Sequence, residues 1–205
     1  MTVTDQPLRP SHNDLDAARS AFEANEPRDL FYRAATELVD FALRRTTSLT
    51  VAEALAVLLQ TWNRAYYQYR RLDSQHFHAI EELVGGNLVA LEALRPRAID
   101  SLAPDDEAQI RELFTRFERV LGPVGAAKSL HLLAPRFFPL WDRAIAEVYA
   151  LPLSRAGTNA VRYYAFMLIV RAQAGALGGE AAIGRNPLKA IDEFNYCRFT
   201  KGWIP

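Results

Sequence analysis

LGPVGAAKSLHLLAPRFFPLWDR, residues 121–143, sets a Gly-Pro-Val-Gly turn between two apolar segments and closes the second at a proline corner. Upstream, Ile110, Leu113, Phe114, Phe117, Val120 and Leu121 recur at three and four, the spacing of a helix with one buried face. Gly122 is placed to stop that helix in a left-handed conformation, and Pro123 suits the first turn of the next. Leu130, His131, Leu132 and Leu133 carry the second helix, and Asp142, after Phe-Phe-Pro-Leu-Trp, can cap a third. The stretch predicts helix, hairpin, helix, corner and capped helix. The remainder of the chain reads as its frame.

That frame is helical throughout. Residues 1–12 are polar, carry Pro7 and Pro10 and have no period, so a disordered tail is expected before a domain over 13–205. Asn13 can cap a first helix to about Asn25, and Leu30, Phe31, Ala34, Leu38, Phe41 and Ala42 mark a second ending near Arg44 and Arg45. Thr50 and Glu53 form a capping box, after which Leu55, Leu58, Leu59, Trp62, Tyr66 and Tyr69 make one stripe. Asp73 or Ser74 starts a helix that Gly85-Gly86 interrupts. Pro104 with three carboxylates opens the helix leading into residue 121. A long helix follows Gly157-Thr158-Asn159, residues 177–185 read as a loop, and Pro187 opens a last helix before an aromatic tail. No segment alternates at period two. The expected fold class is all-α: an orthogonal bundle of about nine helices with a helix-hairpin-helix-like element and no significant sheet, in one domain or two packed lobes.

Composition narrows the partners. With 205 residues and a formal net charge of zero, the chain has no overall field that would draw it to nucleic acid or anionic membrane, so any polyanion site is a local patch. The single Cys197 excludes an internal disulfide and fits a reducing cytoplasm. Four scattered histidines give no zinc set, and neither a metal nor another cofactor is expected. The apolar run Tyr163–Val170 is too short for a membrane span. A cytoplasmic location follows as an expectation.

Several residues can carry chemistry. Gly122 to Gly125 can expose backbone N–H groups at a helix start, where the dipole favours a phosphate. Gly-Pro-Val-Gly-Ala-Ala-Lys128-Ser129 fails as a phosphate-binding P-loop, because alanine precedes the lysine and a helix precedes the turn. Lys128 lies among apolar neighbours, and lost hydration would make its amine more nucleophilic; its stem can equally lie along the surface with the ammonium in water. His131, one turn on, is a proton carrier or a satisfied structural histidine. Asp142 can act as a carboxylate aimed at the hairpin helix or serve only as a cap. In the aromatic and arginine cluster of residues 62–71, Trp62, Tyr66 and Tyr69 fall on the core stripe, leaving Asn63, Tyr67 and Arg70 as candidates for base stacking and phosphate contact. Arg71 and His76 fit the loose Arg-x4-6-His spacing of some helical ribonucleases. Cys197 reads as a buried spectator.

The glycine-containing hairpin, the lysine early in the next helix, the proline loop and the aspartate opening a further helix resemble the helix-hairpin-helix DNA glycosylases. That resemblance covers about 25 residues. It implies that hairpin amides hold DNA phosphate, that Lys128 attacks the sugar C1′, that Asp142 supports cleavage of the glycosidic bond, and that an extruded base is read by stacking and edge contacts. Gly122, Gly125, His131, Arg136, Trp141 and Arg143 would then contact nucleic acid or substrate. The chain departs from the pattern in having two residues between its glycines and Phe-Pro-Leu-Trp-Asp in place of Pro-Val-Asp. Two readings follow: a DNA-binding, N-glycosylase-like base-excision protein, and a non-catalytic helical binding protein in which the same residues are turn, cap and core.

Overall fold

Ser11 starts the first helix. Its side chain accepts from the Asp14 amide while Asp14 returns a bond to the Ser11 backbone, so the cap lies two residues earlier than Asn13. The computed structural model describes residues 8–45 and 47–205, without the side chains at 64 and 65. Most of the expected disordered tail, residues 1–7, lies outside the described residues. Helix α1 spans His12–Asn25, α2 Asp29–Leu43, α3 Val51–Trp62, α4 Arg64–Tyr67 and α5 Ser74–Leu94. Two 3-10 turns, Ile99–Ser101 and Pro104–Asp106, lead into α6, Glu107–Leu133. Then follow α7 (Arg143–Val148), α8 (Ala160–Ala176), α9 (Gly179–Ile183), α10 (Pro187–Asn195) and a closing π-helical turn, Tyr196–Lys201. The described residues form no strand, and the fold is an all-α bundle.

Helix α6 is the axis of the packing. It touches α2, α3, α5 and α8, while α2 packs on α3 and α1 on α10. A single apolar cluster runs through all of these elements. At its centre Phe114 of α6 stacks on Tyr163 of α8 with ring centroids 4.2 Å apart, and Trp141 stands edge-on to Phe114 at 6.1 Å. Each such ring contributes on the order of 2–3 kcal/mol by leaving water. Beside this core the fully buried Glu118 accepts hydrogen bonds from the side-chain and backbone nitrogens of Asn159, which places a carboxylate at the positive end of α8.

The structure corrects several boundaries. The helix started by Thr50 ends at Trp62 with Asn63 as its C-cap, so the stripe breaks phase and Tyr69 is 93% exposed. Leu30 and Phe41 also face outward, and the buried face of α2 is Ala35, Val39 and Ala42. Gly85-Gly86 sits within an uninterrupted α5, and residues 179–183 of the expected loop are helical. The expected four-residue hairpin shrinks to one residue. Gly122 alone is non-helical, with φ 70° and ψ 169°, and α6 resumes at Pro123 with Gly125 inside the helix. No helix among the described residues is long and apolar enough to cross a membrane.

Candidate functional site

The kink at Gly122 turns the second half of α6 so that Lys128 reaches the ends of α3 and α7. There it borders two adjoining spaces. The inner one is a partly open cavity of about 170 Å3 between α1, α2, α3, α6, α7 and α10, bordered by Trp62, Lys128, Trp141, Asp142, Lys189 and Asp192 among others. A cavity of about 150 Å3 holds one benzene-sized ring in an apolar setting. The outer space is an open groove of about 430 Å3 along the kink. Trp62, Lys128 and Asp142 border both.

The Lys128 ammonium donates to the Trp62 carbonyl at 2.7 Å and lies 4.4 Å from the centre of the Trp62 ring. Trp62 is the last residue of α3, whose terminal carbonyls lack helical partners, so the lysine supplies one at the negative end of the dipole. Burial pushes Lys128 down from 10.5 to about 8, against the opposing pull of Asp142 and then Asp192. The charged form still dominates at pH 7, with about a tenth of the amine neutral. Asp142 caps α7, with Oδ1 accepting from the Ile145 amide at 2.9 Å. It is a cap and a wall residue together.

Sequence reasoning missed the far wall. Lys189 of α10 lies 3.5 Å from Asp29 and 3.7 Å from Asp192, and stands over the Phe22 and Tyr32 rings at 4.4 and 4.5 Å. Lys189 and Asp192 are three residues apart, flanking the buried Leu188 and Ile191. That period places them on one helix face but cannot say which helix the face meets. Burial raises Asp192 from 3.8 to about 7, with Lys189 opposing. Between those values the folded chain holds a proton that the unfolded chain has released, so this group's contribution to stability declines as pH rises across the window. Asp192→Asn is expected to flatten that decline, as urea titrations at a series of pH values will show.

His131 is a structural residue. It is fully buried and lines neither space; its Nδ1–H donates to the Phe138 carbonyl at 2.8 Å, leaving Nε2 to accept from the Tyr32 hydroxyl at 3.0 Å. Burial lowers it to about 4, so the ring stays neutral. It holds Tyr32 against the cavity. His131→Leu strands both partners, and a loss of about 2 kcal/mol is expected from denaturant midpoints at unchanged slope.

The other candidates divide. Gly122, Gly125, Asn63 and Arg143 line the groove, and Trp141 lines the cavity with its indole N–H buried and unpartnered. Asn63 is buried, not free, and its Nδ2 would lie 3.0 Å from a side chain added at Gly125. Tyr66, assigned to the core stripe, borders the groove, and Arg70 donates to its hydroxyl at 3.2 Å. Tyr67 bonds His76 at 3.0 Å and borders neither space, which occupies the histidine of the ribonuclease-like spacing. Arg136 pairs with Glu180 at 2.6 Å and borders neither space, so the structure does not bring it to the candidate site. Cys197 is buried against the Ala18 carbonyl, and burial pushes its thiol up to about 11. The aromatic tail packs back on the core through Phe199, Trp203 and Ile204.

Comparison of the chain with protein-family models, with curated proteins and with solved structures found no match.

Proposed function

We propose that this protein acts on a base extruded from nucleic acid, cleaving its N-glycosidic bond with Lys128 and Asp142 at the boundary of cavity and groove. One observation carries the reading: a desolvated lysine and a carboxylate from different elements border both a partly open cavity of ring size, walled by aromatic and charged side chains, and an open groove beside a helix start. The cavity suits the base and the groove suits the backbone. The first turn after Gly122 and the exposed Arg143 favour a phosphate there. With a net charge of zero, DNA binding would rest on these few local groups, and its salt dependence would be shallow because few phosphates are neutralised.

In this reading the neutral Lys128 amine attacks C1′. The Nζ–C1′ bond forms as the bond from C1′ to the base nitrogen breaks, and its electron pair leaves with the base. Asp142 stabilises the positive charge developing on the sugar and takes a proton from the attacking amine. Ring opening then gives an imine that borohydride reduces to a stable amine. The test is trapping on duplexes carrying damaged bases or abasic sites: an adduct is expected, and it should vanish in Lys128→Ala. An adduct that survives in Lys128→Ala, or its absence on every duplex, would overturn the lysine chemistry.

The second reading, a non-catalytic helical binding protein, draws on the fact that both residues already hold structural positions, Lys128 at the end of α3 and Asp142 at the start of α7. It gains if no duplex yields an adduct while Lys128→Ala and Asp142→Ala lose stability.

A further inference from the structure

Helix α2 turns an apolar stripe to solvent. Leu30 is 58% and Phe41 47% exposed, with Ala34 and Glu37 exposed between them. At about 100° per residue these four fall within an arc of about 60°, and Arg33 stands at its edge. An open groove of about 450 Å3 runs along the stripe, lined by Leu30, Tyr32, Arg33, Ala34, Thr36 and Glu37. The opposite face, Ala35, Val39 and Ala42, already meets the core. The helix thus has two apolar faces, and the fold covers one.

The charges on the stripe select what covers the other. Asp40 and Arg44, acid before base at a spacing of four, pair at 2.6 Å on this helix. Arg33 and Glu37 have the same spacing in the weaker order, and neither charged group has an ion pair or hydrogen bond among the described residues. A partner surface of one sign would be attracted by one of these side chains and repelled by the other. A second copy of the same helix, running antiparallel, satisfies both. With the two-fold axis level with the midpoint of residues 35 and 36, Leu30 lies opposite Phe41 of the second copy. Arg33 then lies within one residue, about 1.5 Å along the axis, of Glu37 of the second copy and on the same side of the pair. The symmetry makes each of these contacts twice, and the small Ala34 beside the axis lets the backbones approach.

We propose that Leu30, Arg33, Ala34, Glu37 and Phe41 form the interface of a two-fold homodimer in which two α2 helices pack antiparallel. This goes beyond the base-extrusion reading and does not depend on it. The contact is about 17 Å long, at the small end of specific interfaces, so the dimer is a reversible one of micromolar affinity. Tyr32 borders both this groove and the inner cavity, which sets the second copy one side chain away from the candidate site.

The test is sedimentation velocity of the full chain at low ionic strength, over concentrations of about 1–500 μM. A reversible monomer–dimer equilibrium with Kd of about 1–100 μM is expected. Arg33→Glu and Glu37→Arg each place like charges across the axis twice, and each should weaken association more than tenfold. Both side chains are exposed, so the melting temperature of either variant should match that of the parent. Mixed in equal amounts, the two variants restore opposite charges at both contacts, and a mixed dimer of parental affinity is expected. A parent that stays monomeric across the range, single variants that associate as the parent does, or a mixture that stays monomeric would each overturn the proposal. The first of these outcomes leaves the stripe to an unlike partner.

Discussion

Gly122→Val is expected to lower stability by about 4 kcal/mol and the melting temperature by about 8–16 °C. Two causes combine. At φ 70° and ψ 169° the backbone lies in a region that is essentially glycine's alone, and a β-branched residue there is strained by its own geometry. An added Cβ would also sit 3.0 Å from the Tyr66 ring, which is fixed by its hydroxyl bond to the Val120 carbonyl at 3.1 Å. Gly122→Ala should show about half the effect, since it meets the same ring without the second branch. Thermal denaturation of the two variants checks the order. A Val variant as stable as the parent would mean that the kink does not set the path of α6.

Lys128→Met should act in the opposite direction on stability. Burial lowers the lysine from 10.5 to about 8, so below pH 8 the folded chain carries a desolvated charge at a cost of about 3 kcal/mol. Methionine removes that cost and gives up the bond to the Trp62 carbonyl and the contact with the Trp62 ring, worth about 1–2 kcal/mol together. A net gain of about 1–2 kcal/mol at pH 7, or about 3–6 °C, is expected alongside complete loss of the trapped adduct. The sign of the pH effect is fixed. Between pH 8 and 10.5 the unfolded chain binds a proton that the folded chain has lost, so the parent gains stability as pH rises and the advantage of the variant shrinks. Melting curves at pH 7 and 10 separate this from a simple packing change.

Local chemistry was legible in the sequence wherever a few adjacent residues decide the outcome. The Thr50–Glu53 box, the Asp73 cap and the Asp142 cap all form as their residues imply. Gly85-Gly86 misleads because each glycine costs only about 1 kcal/mol in a helix. Leu83, Val84, Asn87 and Leu91 bury the other face of α5, and that packing outweighs the local penalty. Tyr69 misleads because a continuous period was read across Asn63, where the helix ends. At the candidate site, Lys128, Trp141 and Asp142 were found because they share one stretch. Tyr32, Asp29, Lys189 and Asp192 were not, because they come from α2 and α10 and meet only through the packing of those helices about α6. His131 shows the converse: its position beside Lys128 suggested chemistry, and its ring is spent on holding Tyr32 and Phe138.

The bond from Lys128 to the Trp62 carbonyl makes the amine the terminal plug of α3. Any ligand that draws the ammonium away leaves that carbonyl bare, so occupancy of the cavity and fraying of the last turn of α3 are linked, and reciprocity requires that loosening α3 alter affinity by the same factor. Amide exchange at the end of α3 is therefore a remote reporter of events at Lys128, readable without following the chemistry itself.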